Sequence, residues 1–169
     1  MLTQARLKKL FNYDPITGIV TRKITKNYNA KQGDKVGCLS QGYLVATVDG
    51  KRYLLHRLIW LYVYNDFPKM LDHIDRNKLN NQINNLRSVN AQQNQQNKTK
   101  QTNNKSGYKG VNWDKNRNKW FSCIQHNGKT IALGRYNNVK DAYSAYCFAA
   151  SKYHTHNPET NLLCDFLNL

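Results

Sequence analysis

Between Asn97 and Gly107 the chain reads KTKQTNNKS, nine residues without a single apolar side chain. A stretch with nothing to bury cannot run through a core, so it separates whatever folds on either side of it. The 169 residues are therefore expected to form two small domains rather than one, within the size range where a single core is modest. The expected boundaries are a first domain at 1–97, a linker at 98–106, a second domain at 107–156 and a tail at 157–169.

Both parts are basic. Residues 1–97 carry 15 basic and 6 acidic side chains, a net +9, and residues 98–169 carry 11 and 4, a net +7. A field of that sign over the whole molecule attracts polyanions, which makes nucleic acid the expected partner and argues against a neutral enzyme with one basic tail. Cys38, Cys123, Cys147 and Cys164 lie far apart with no Cys-x-x-Cys pair. They are read as buried, reduced thiols rather than a zinc cluster or redox motif. No apolar run reaches the roughly 20 residues of a membrane helix, and the first residues lack the apolar centre of a signal peptide. A cytoplasmic protein with no membrane partner is expected.

Apolar spacing predicts a helix over 2–11, a strand over 18–24 and a basic surface loop over 26–37. Strands follow at 42–48 and 51–55, joined by Asp49-Gly50, a pair suited to a two-residue hairpin turn. Leu55, Leu58, Ile59, Tyr62 and Val63 then recur at helical intervals, predicting a helix over 56–64 that ends before Pro68. Beyond the linker, strands are expected at 108–111, 120–125 and 130–133. A helix should follow over 139–153, with Asn138 as N-cap and an alanine-rich face. The fold class is α+β.

The chemistry concentrates in LDHIDRNKLNNQINNLRSVNAQQNQQN, residues 71–97. Asp72 is a hard oxygen donor, and His73 is the side chain type that titrates near neutral pH. Neighbours on a strand face opposite ways, so the pair suits a division into metal ligand and base around one phosphate. Residues 85–89 read as a returning strand and Asn90 as the N-cap of a helix carrying Asn94 and Asn97. One carboxylate and one amide leave most of an octahedral Mg²⁺ shell to water and phosphate oxygens.

The sequence DHID, followed by NN-x-x-NNL and N-x-x-N, resembles the HNH homing endonucleases with their ββα-metal fold, over roughly residues 40–97. His56-Arg57 ahead of Trp60 is similar to a His-Arg-Leu segment of the same family. The resemblance implies Asp72 as metal-binding acid, His73 as general base, Asn85 as the brace of the loop and Asn94 as second metal ligand, with Asn97 as the alternative. It implies Mg²⁺, or Mn²⁺, as cofactor. Arg57 and Arg87 are candidate phosphate contacts, and His56 is open between packing and phosphate contact.

SGYKGVNWDKNRNKWFSCI and ALGRYNNVKDAYSAYCFAA resemble the APETALA, or ethylene response factor, DNA-binding domain, which lays a three-stranded sheet in the major groove. The resemblance implies Lys109, Asn112, Trp113, Lys115, Arg117, Lys119, Ser122, Gln125 and Arg135 as contacts to DNA, with Trp120 divided between core packing and DNA. Asn112 and Gln125 stand where the plant domains carry arginines. The whole then reads as a site-directed DNA endonuclease, a monomer or homodimer acting on double-stranded DNA, in a bacterial host cell if phage-encoded. The alternatives are a catalytically inactive DNA-binding regulator and an RNA-binding protein.

Overall fold

The computed structural model describes residues 2–98, 100 and 102–156. The chain divides into two compact units, 1–90 and 91–169, and is of mixed α and β type with small antiparallel sheets. The expected folding-back of the tail lies outside the described residues.

In the first unit, helix α1 (Gln4–Leu10) starts at Thr3, whose side chain accepts the Arg6 amide and so satisfies one of the donors every helix start leaves open. It runs into a small hairpin of β1 (Phe11–Tyr13) and β2 (Val20–Arg22). Three antiparallel strands follow, β3 (Cys38–Ser40), β4 (Tyr43–Val48) and β5 (Lys51–Leu54). Asp49 and Gly50 both take positive φ, 47° and 78°, the conformation a tight hairpin turn requires. Helix α2 (Leu55–Tyr64) begins directly after β5 and stops at Asn65, which adopts a left-handed φ of 54°.

The apolar stripe of α2 (Leu55, Leu58 and Ile59) closes with Leu7, Phe11 and Val48 into the unit's core. Leu86 belongs to the same core, and this is what anchors the next hairpin, β6 (Leu71–His73) with β7 (Leu86–Ser88). The sequence reading did not foresee β1 and β3. Cys38, expected to be buried, is exposed on β3, an edge strand that pairs with β4 alone.

In the second unit, α3 (Ala91–Asn97) precedes a three-stranded antiparallel sheet of β8 (Val111–Asp114), β9 (Lys119–His126) and β10 (Lys129–Tyr136). Helix α4 (Val139–Tyr153) covers one face of the sheet, its Ala142, Tyr146, Ala149 and Ala150 buried. Asn138 caps it by accepting the Lys140 amide at 2.8 Å. The first strand starts at Val111 rather than at the expected Tyr108. Gly110 turns the chain there at φ 75°, and a Cβ on it would lie 2.0 Å from the Tyr146 ring. The end of the polar stretch is also not loose. Asn104 Nδ2 donates to the Tyr108 carbonyl at 2.8 Å, and the Ser106 hydroxyl donates to the Val111 carbonyl at 2.7 Å. Polar side chains can be half-buried when their bonds are met.

Candidate active site and nucleic-acid surface

The β6–β7 hairpin sets Asp72 opposite Arg87 and His73 opposite Leu86. Alternation along β6 sends the two side chains apart, as a strand must. Asp72 is largely covered, its side chain 12% exposed, with its Oδ2 accepting from Arg87 Nη2 at 3.1 Å, whereas His73 turns inward on the other face and is only 4% exposed. Arg87, a candidate phosphate contact, is thus paired with the acid beside it. The structure brings Asp72, His73, Asn85 and Arg87 together on one hairpin and its loop.

Asn85 ends a single 3-10 turn at Ile83–Asn85 and holds the loop between the strands. Its Oδ1 accepts the Asp75 amide at 3.0 Å, and its Nδ2 donates to Asp75 Oδ1 at 2.9 Å and to the Asn80 carbonyl at 2.8 Å. Burial alone would raise the Asp75 carboxyl, but hydrogen bonds from Asn80, Asn85 and the Asn77 amide outweigh it and hold the group below its ordinary value.

Of two residues around His73, one was not foreseen and the other had been left open between packing and phosphate contact. Asn81, 2% exposed, brings its Oδ1 to 3.1 Å from His73 Nε2. In a stretch with so many asparagines, nothing in the letters distinguishes this one. The second is His56, buried at the start of α2, whose ring meets the His73 ring edge to face at 4.9 Å. Burial first, then the neighbouring His73 and Arg57, push the His56 pKa down to about 4. It is therefore a neutral packing partner at physiological pH. Tyr43 stacks at a tilt against both rings, at 5.6 Å from His56 and 6.2 Å from His73. Arg57 is tied elsewhere: its guanidinium donates to the Pro68 and Lys69 carbonyls and lies over the Phe67 ring.

Residues 53–96 match the family model described as HNH endonuclease. The chain carries an HNH endonuclease domain. Protein 3.8 of Escherichia phage T7 is 36% identical over 76 residues, which are 44% of this chain and 63% of that protein. An SPbeta prophage-derived protein of Bacillus subtilis, YosQ, whose name assigns it provisionally to the HNH homing endonucleases, is 35% identical over 80 residues, 46% of each chain. The HNH-bearing chain thus spans less than two thirds of either relative. No solved structure matches it significantly.

Asn94 lies half-buried on α3, in the second unit. Among the described residues no group of three or more His, Cys, Asp or Glu could hold a metal ion. On the first unit's hairpin the Asp72 carboxylate is a hard oxygen donor, of the kind that Mg²⁺ takes and zinc sites built on Cys and His do not rely on.

On the second unit's sheet, Lys115, Arg117, Lys119 and Arg135 are exposed near the β8–β9 turn. Arg135 Nε donates to Asp114 Oδ2 at 2.8 Å, and its guanidinium lies over the Phe121 ring. Asn112 and Gln125 are exposed and line a groove of about 650 Å³ whose further wall includes Gln92 and Gln95 of α3. Trp113, 45% exposed, meets the half-buried Trp120 edge to face at 4.9 Å. Two candidates need correction. Ser122 is fully buried, because its place on β9 shares the inward face with Ile124 beneath α4. Lys109 is part-buried, its ammonium donating to the Gln96 carbonyl. No helix among the described residues is long and apolar enough to cross a membrane.

Proposed function

We propose that this protein is a site-directed, Mg²⁺-dependent DNA endonuclease of the homing type. The observation that carries the reading is His73: a buried imidazole adjoining an acid, at the end of a strand that leads into a braced loop, inside the stretch that matches the HNH endonuclease family. His73 would take the proton from the attacking water, with Asp72 holding the metal and Asn85 keeping the loop in place. Mg²⁺ or Mn²⁺, when bound, supplies charge neutralisation at the scissile phosphate and the departing 3′ oxygen. The products carry 5′-phosphate and 3′-hydroxyl ends.

The second unit would deliver the nuclease to double-stranded DNA. Its APETALA-like sheet would place Lys115, Arg117, Lys119 and Arg135 on phosphate, with Asn112, Trp113 and Gln125 nearer the bases. Asn and Gln side chains match the edge of adenine in the major groove. A monomer cuts one strand at a time, and a homodimer would cut both.

One observation favours the alternative of an inactive DNA-binding regulator. The Asp72–Arg87 ion pair is a contact that a metal ion would have to share or displace. Incubation of the protein with DNA from its own genomic neighbourhood and Mg²⁺, followed by mapping of breaks and ligation of the ends, separates the two. Site-restricted breaks with ligatable 5′-phosphates support the nuclease; binding without breaks in Mg²⁺ and in Mn²⁺ supports the regulator.

A further inference from the structure

A histidine acts as a base only through the nitrogen that lacks a proton, so the tautomer decides which way it can reach. His73 Nε2 lies 3.1 Å from Asn81 Oδ1. An amide oxygen only accepts, so this contact puts the hydrogen on Nε2 and leaves Nδ1 with the lone pair. Both groups are buried, which removes competing water from the choice.

What holds Asn81 comes from far away in sequence. The Tyr13 hydroxyl donates to the Asn81 carbonyl at 2.9 Å. Burial first, and then the nearby Asp14, raise the Tyr13 phenol to about 12, so it keeps its proton. On the other side of the same turn, Gly18 at φ 72° sits so close that a Cβ would lie 2.6 Å from both the Asn81 carbonyl carbon and the Gln82 nitrogen. The preceding carbonyl, that of Asn80, accepts from Asn85 Nδ2. Tyr13 and Gly18 belong to the β1–β2 hairpin and its turn, outside the residues 53–96 that match the nuclease family.

We infer that this N-terminal hairpin is part of the nuclease apparatus: through Tyr13 and Gly18 it clamps Asn81, whose amide oxygen fixes His73 as the Nε2–H tautomer and so makes Nδ1 its basic nitrogen. Asn81 and Tyr13 are positioning residues. The catalytic half of the inference rests on the reading of His73 as the base, and the structural half does not.

Nitrogen NMR of the full-length protein with ¹⁵N-labelled histidine, at a pH where its imidazoles are neutral, reads the tautomer directly. The His73 signals are assigned by their loss in His73→Ala. The wild type should show a protonated Nε2 and a bare Nδ1. Asn81→Ala should give a mixture of tautomers and lower the cleavage rate at saturating DNA by roughly 10–100-fold, the usual cost of losing an orienting partner, with KM unchanged. Asn81→Asp, which keeps an acceptor oxygen, should restore the single tautomer, and this covers the case in which the alanine variant does not fold. Tyr13→Phe, which keeps the ring, should give a smaller loss of the same kind.

An Nδ1–H tautomer in the wild type would overturn the inference. So would a folded Asn81→Ala that keeps both the single tautomer and full activity. Full cleavage by His73→Ala alongside a wild-type Nε2–H tautomer would refute the nuclease mechanism and leave the clamp standing.

Discussion

The two units handle polarity in opposite ways. In the first, the groups with chemistry to perform are enclosed: His73, Asn81, Asn85 and His56 are all buried, and hydrogen bonds or ring contacts account for each. In the second, the cations near the β8–β9 turn stand in solvent, and those with partners share one carboxylate, Asp114. Enclosure fixes the direction in which a base can act, at the cost of satisfying every polar atom nearby. Exposure leaves charges free to follow a phosphate backbone and makes their effect depend on salt. On the proposed reading, the base is a buried group of the first unit and the cations meant for phosphate are exposed groups of the second.

Substitutions that test the built interiors should be the most costly. Gly110→Ala would drive a Cβ into the Tyr146 ring at a positive φ, and is expected to destabilise the second unit by roughly 3–4 kcal/mol. Urea denaturation followed by tryptophan fluorescence would show it, since Trp113 and Trp120 both belong to that unit's sheet. Asn85→Ala removes three hydrogen bonds from the first unit's loop, a loss of about 3 kcal/mol. If cleavage then fell no further than stability explains, the loop would be scaffold alone.

The pH dependence sharpens the same contrast. His56 has a folded-state pKa of about 4 against an ordinary value of 6.5, so between these pH values the unfolded chain binds more protons than the folded one. The stability contribution of neutral, buried His56 is complete above pH 6.5 and is lost as the pH falls toward 4, at most about 3 kcal/mol in all. Denaturation midpoints measured across that range should drop for the wild type and drop less for His56→Gln. The mildest effect belongs to the exposed side: Lys119→Ala should leave stability alone and reduce the salt slope of DNA binding by about 0.9. A change in stability instead would mean that the lysine is a packing residue.

How far the sequence could be read follows the same division. Elements defined by neighbouring residues were legible: α4 with its Asn138 cap, α2 from its apolar stripe, and the turn at Asp49-Gly50, where both residues take positive φ. Asp72 and His73 stood out by residue type, and Asn85 through the family resemblance. Features made by long-range contact did not. β1 and β3 are three residues each, too short for any period to declare itself. Asn81 gains its place from Tyr13, 68 positions away, and Ser122 is buried by a helix whose approach no local pattern records.

The central claim is that His73 is the base of a nuclease, and one comparison tests it most directly. Wild-type protein and His73→Ala would be incubated with supercoiled plasmid carrying the mapped site in Mg²⁺, with DNA affinity measured in parallel. A general base contributes roughly 10²–10⁴-fold, so the variant should bind as the wild type does and lose cleavage by about that factor. Cleavage by His73→Ala at the wild-type rate would contradict the account.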